Sequence, residues 1–117
     1  MERRNEILEL SFEFSLKIIA YCEMLEENKK YVIARQLLKS GTSIGANIRE
    51  AQNAESKQDF IHKLKIAAKE ADETEYWLLL CEKSPNYLTS TDLITSIISI
   101  KKLLNSIISK MKIKNQK

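Results

Sequence analysis

Two glycines and one proline are the only strong turn punctuation in 117 residues. A β-sandwich or barrel needs a turn signal every ten residues or so, and that supply is missing. What fills the chain instead is a recurrence of apolar residues at alternating steps of three and four, the spacing of one face of a helix. The length suits one domain, residues 1–117, with one shared core. With 44% hydrophobic and 30% charged residues the composition is globular rather than disordered.

Four periodic segments stand out. The first, residues 5–26, carries Ile7, Phe14, Ile18, Tyr21 and Leu25, with Ser11 in the same seam and Phe12, Leu16 and Ile19 widening it. A short polar turn, Glu27–Lys30, leads to the second, residues 31–53. Here Gly41 and Gly45 lie four apart on one face, and small residues at that spacing let another helix approach closely. Each glycine costs about 1 kcal/mol relative to alanine in a helix, so the spacing predicts either a continuous helix or a kink at this point. The third helix is expected over residues 57–82, opened by Ser56 and Asp59 as a capping box. Its seam is Phe60, Leu64, Ala67, Ala71, Thr74, Leu78 and Cys81. Ser84-Pro85-Asn86 stops it. Thr89 or Ser90 can cap the fourth helix, residues 91–112, with Asp92 in its first turn.

The fourth helix has a full seam, Leu93, Ile97, Ile100, Leu104, Ile107 and Met111, and further apolar residues beside it: Ile94, Ile98, Leu103 and Ile108. Such a wide stripe suits either a generous core or a second face packed on another subunit. Helices joined by short links are antiparallel neighbours, so the expected fold class is all-α, an antiparallel up-down-up-down four-helix bundle.

The second helix also carries a polar row. Gln36, Ser40, Ser43, Asn47 and Glu50 follow steps of four, three, four and three. Glu70, Glu73 and Trp77 share a face of the third helix. Buried polar groups must be hydrogen-bonded, so the two rows are expected to form an interhelical network that fixes register, or else a binding groove.

Chemistry finds little to work with. The one histidine, His62, has no Glu-x-x-His partner, so a di-iron centre lacks its ligands. No metal, no cofactor and no catalytic residue is expected. Neither cysteine, Cys22 or Cys81, has an evident histidine beside it, and both read as reduced, buried side chains. Phosphate-binding glycine loops and zinc motifs are absent from the sequence. No apolar stretch approaches the ~20 residues of a membrane span, and the N-terminus lacks a leader's apolar core. No membrane partner is expected, and the expected location is the cytoplasm.

The remaining signal is basic. Formal net charge is +3, and Lys29, Lys30, Arg35 and Lys39 cluster at the start of the second helix. Binding of RNA or DNA there would be phosphate-directed, non-specific and salt-sensitive. A protein-interaction scaffold with no nucleic-acid contact is the alternative. The basic tail from Lys110 to Lys117 reads as a frayed end or a phosphate-contacting arm.

From Gln36 to Ala51, QLLKSGTSIGANIREA, and on through Ser56, Asp59-Phe60-Ile61, Lys69-Glu70-Ala71 and Glu73–Leu78, the chain resembles a known family. These are the four-helix bundles encoded in intervening sequences of bacterial large-subunit ribosomal RNA genes. The resemblance implies assembly into a ring-shaped homopentamer, so the chain itself is the first expected partner. Accessory proteins of diversity-generating retroelements look similar, and they bind nucleic acid and a reverse transcriptase through a basic surface.

Overall fold

The structure is a computed structural model and describes residues 5–115, with side chains as far as Lys112. Met1–Arg4, where the lack of a leader was read, and Gln116–Lys117 lie outside the described residues, as do the tail's side chains beyond Lys112. The described residues form four helices and no strand: α1 Glu6–Glu27, α2 Tyr31–Ala51, α3 Lys57–Lys83 and α4 Thr91–Asn115. α2 lies against α1 and α3, and α4 lies against α3 and α1. α1 and α3 are therefore diagonal across the core.

The periodic seams go inside. Ile7, Ser11, Phe14, Ile18, Tyr21 and Leu25 of α1 are buried, as are Leu64, Ala67, Ala71, Thr74, Leu78 and Cys81 of α3. α4 contributes Leu93, Ile97, Ile100, Leu104 and Ile108, while Ile94, Leu103, Ile107 and Met111 pack half-buried around that core. The wide stripe of α4 is thus mostly absorbed within one bundle. The widened part of the α1 stripe is not: Phe12, Leu16 and Ile19 face outward.

α2 runs unbroken through Gly41 and Gly45. The glycines let it approach α1. A Cβ on Gly41 would sit 2.9 Å from Cγ2 of Ile18, and one on Gly45 would sit 3.3 Å from the Ser11 carbonyl oxygen. α2 ends at Ala51, two residues sooner than its periodicity suggests. There the bonding tightens: the amides of Gln52, Asn53 and Ala54 donate to the carbonyls three residues back. α4 continues to Asn115, past the expected stop at Lys112.

Each turn has its own local chemistry. Asn5 caps α1 by accepting from the Leu8 amide, and Ser56 caps α3 by accepting from the Asp59 amide at 3.0 Å. The Asp59 carboxylate reaches back to accept from the Glu55 amide, one residue beyond the N-cap amide of the reciprocal capping-box bond. At the end of α1 the Lys30 amide donates to the Leu25 carbonyl and the Lys29 amide to that of Glu26. This is a Schellman turn with Lys29 left-handed at φ 63° where glycine is usual.

Candidate functional site

The polar row of α2 divides into three settings. Gln36 is exposed. Ser40 is buried, and the Thr74 hydroxyl donates to it across the α2–α3 interface at 2.9 Å. Ser43 and Asn47 donate back to their own helix, to the carbonyls of Lys39 and Ser43. Glu50 pairs with Lys63 of α3 at 3.2 Å on the surface. On α3, the Trp77 indole N–H donates to Glu73 at 3.1 Å within the same helix. Glu70 is half-buried; burial, and next the charge of Glu73, push its carboxyl up, with Lys39 opposing. Two of the eight residues thus bond across to the neighbouring helix, Ser40 to Thr74 and Glu50 to Lys63. The others bond within their own helix or stay in solvent. Serine and asparagine in mid-helix commonly bond the carbonyl four residues back, which removes the need for a distant partner.

Lys29, Lys30 and Arg35 lie toward the bundle end that holds the α1–α2 turn, and Lys39 lies near the middle of α2. Lys29, Arg35 and Lys39 are exposed, and none has an ion-pair partner among the described residues. Lys30 is half-buried and sits over the Tyr87 ring, 4.9 Å from its centroid. That contact ties the α1–α2 turn to the α3–α4 loop.

Two polar anchors escaped the sequence reading. The Glu82 carboxylate accepts from the Ser90 amide at 2.7 Å and the Thr91 hydroxyl at 2.8 Å, with the Thr89 hydroxyl at 3.1 Å. The Ser90 amide bond is the main reason its carboxyl is held below the usual glutamate value. Ser90 turns its own hydroxyl to the Leu78 carbonyl rather than to the amides of α4. Lys101 of α4 bridges Asp72 and Glu75 of α3 at 2.8 and 2.7 Å. Sequence distance hides both, although the run of hydroxyls after an acidic helix end was a signal for the first.

Cys22 and Cys81 are buried, and burial pushes the Cys22 thiol up to about 12. Such thiols are poor nucleophiles. Among the described residues no group of histidine, cysteine, aspartate and glutamate could hold a metal ion. No helix among them is long and apolar enough to cross a membrane.

The least solvent-adapted surface is on α1. Phe12, Leu16 and Ile19 follow steps of four and three and are 61, 53 and 41% exposed. Phe12 also lines an open, mainly apolar groove of about 450 Å³ between α1 and α2, with Leu8, Ser15, Gly45 and Ala46. Contiguous exposed apolar surface of this kind marks interaction sites.

The fold and its surfaces define a small all-helical protein built around one core. The chain belongs to the 23S rRNA-intervening sequence protein family, whose pattern it matches over residues 3–109. It is also similar to a crystal structure from Bacteroides thetaiotaomicron, described as a protein of unknown function from the S23 ribosomal protein family. That likeness has 47% identity and a TM-score of 0.81, covering 87% of this chain and 97% of the other. No curated protein matches.

Proposed function

We propose that this chain is a non-enzymatic, antiparallel up-down-up-down bundle that works as a homo-oligomer and offers a basic surface to nucleic-acid phosphates. The observation that carries the first half is the exposed row of Phe12, Leu16 and Ile19. A lone soluble bundle gains nothing from holding three large apolar side chains in water; burying one is worth ~1.5–3 kcal/mol. The homopentameric ring expected from the family resemblance would bury them. The antiparallel reading is supported by Asn5, before α1, bonding Gln52, after α2, and by Glu50 near the end of α2 meeting Lys63 near the start of α3.

The second half rests on Lys29, Arg35 and Lys39, exposed cations that form no ion pair among the described residues, although Lys39 faces the Glu70 carboxyl, and that an assembly multiplies into a positive field. Lys30, stacked on Tyr87, contributes charge but has a structural duty as well. A protein partner is the second reading, favoured by Tyr31 and Val32 lying exposed among these cations.

Light scattering with and without a short structured RNA, across salt, tests the proposal. A discrete oligomer that gains mass with RNA and loses it as salt rises is the expected result. An oligomer indifferent to RNA overturns the nucleic-acid half and moves the assignment to a protein partner. A monomer at every concentration overturns the assembly. Substituting Lys29, Arg35 and Lys39 together by glutamate should abolish RNA binding while leaving the mass unchanged; retained affinity would remove this surface from the assignment.

A further inference from the structure

Among the described residues three aromatic side chains stand exposed: Phe12 on α1, Tyr31 on α2 and Tyr76 on α3. Their charge settings differ. Phe12 has Glu9 one turn before it and Glu13 next to it, and Tyr76 has Asp72 and Glu73 one turn before it. Tyr31 follows Lys29 and Lys30, has Arg35 one turn on, and heads a helix with no acidic residue from Tyr31 to Arg49. Tyr31 and Val32, 47 and 76% exposed, lie four and three residues before Arg35, so the three side chains are neighbours on the helix surface. Among the described residues no hydrogen bond, ring contact or ion pair engages the side chains of Lys29, Tyr31 or Arg35. The opposite charge at this end belongs to α1, where Glu26 and Glu27 of the last turn are exposed. Anions are therefore drawn toward α2 and turned away from α1.

We infer that this basic surface takes an unpaired nucleic-acid strand, with a base stacked on the Tyr31 ring and the neighbouring phosphates on Lys29 and Arg35. This rests on the nucleic-acid reading proposed above and names its ligand class. A nucleotide carries in one unit the two things the patch leaves unmatched, a flat π-face and an anion. A duplex fits it poorly. Its bases are stacked inside, and it carries two rows of phosphates, so that with one row on α2 the second meets the glutamates of α1. A single strand has one row and opens its bases to aromatic side chains. Stacking reads a π-face rather than a sugar or a base edge, so RNA and DNA strands are both taken, without sequence preference. Phe12 and Tyr76, beside carboxylates, have no such phosphate partner.

Fluorescence anisotropy on the full chain at low salt tests this, with a labelled mixed-sequence single strand, as RNA and as DNA, and the blunt duplex of the same sequence. The single strands should bind more tightly than the duplex. Tyr31→Leu, which keeps apolar bulk and loses the π-face, should weaken single-strand binding ~5–100-fold and leave duplex binding unchanged, while Tyr31→Phe keeps the wild-type affinity. Arg35→Gln should weaken both and lower the salt slope by about one phosphate, a change that Tyr31→Leu should not show. Circular dichroism checks that each variant keeps its helicity, as exposed positions should; Tyr31→Gln serves if Tyr31→Leu does not fold. Equal affinity for single strand and duplex, or a Tyr31→Leu variant that binds single strands as the wild type does, overturns the stacking while phosphate binding stands. A wild type that binds none of the probes removes the nucleic-acid reading itself and leaves the patch to a protein partner.

Discussion

Gly41 sits where α2 comes closest to α1, with Ile18 directly beneath it. Alanine there would gain about 1 kcal/mol of helix propensity. Against that, the new Cβ would lie 2.9 Å from Ile18 Cγ2 and 3.0 Å from Cγ1. Ile18 is wholly buried and β-branched, so its χ1 has little freedom to swing aside. Overpacking of this kind costs ~1–3 kcal/mol, so the clash outweighs the propensity. Gly41→Ala should lower unfolding stability by ~1 kcal/mol net in guanidinium titration; increased stability would mean that Ile18 repacks freely. The spacing of Gly41 and Gly45 announced the close approach in the sequence. Which helix approaches, and that Ile18 is the obstacle, needed the three-dimensional register.

At the scale of elements, the two tightest turns use residues that a sequence reader passes over. Lys29 takes the left-handed position of a Schellman turn, a conformation that costs a residue with a Cβ ~1–2 kcal/mol and glycine almost nothing. Lys29→Gly should therefore raise stability by ~0.5–1 kcal/mol in a thermal melt. A drop would show that the lysine side chain makes a contact worth more than the strain. The α3–α4 loop is held by Glu82. Its folded-state carboxyl is held below the ordinary glutamate value by the Ser90 amide and the neighbouring hydroxyls. Its contribution is thus present in full above the unfolded-state value and is lost as pH falls through the folded one. Glu82→Gln should melt lower than wild type at neutral pH, and the gap should close as the pH drops below the glutamate range. A gap that stays constant in acid would mean that shape rather than charge holds the loop. Helix number, the Ser56 cap and nearly every seam residue were legible because they follow local periodicity and capping rules. The Glu82 clasp, the Lys101 bridge and the Ser40–Thr74 bond were not, because each joins residues whose pairing depends on helix register. The polar row of α2 shows the same divide. Its spacing could be read directly, but whether Ser43 and Asn47 would bond across or back was decided by the carbonyl four residues away.

For the whole molecule, the question is where an apolar face goes when a bundle has room for only one core. The stripe of α4 was wide enough to suggest a second interface, yet most of it packs inside, and α1 carries the uncovered row instead. The sequence reading weighed a second face only for α4, because the direction in which a widened stripe points is set by the neighbours on either side. If the α1 row is covered by another copy, unfolding is coupled to dissociation and the melting temperature must depend on protein concentration. A tenfold dilution then removes ~1 kcal/mol per chain, which for a domain of this size corresponds to roughly 4 °C. The same dilution series on Phe12→Ser/Leu16→Ser should be flat, with helicity unchanged, since those side chains lie outside the buried core of a single bundle. A flat wild-type series would mean that the folded chain is already a monomer, and the row would then need an occupant other than a second copy.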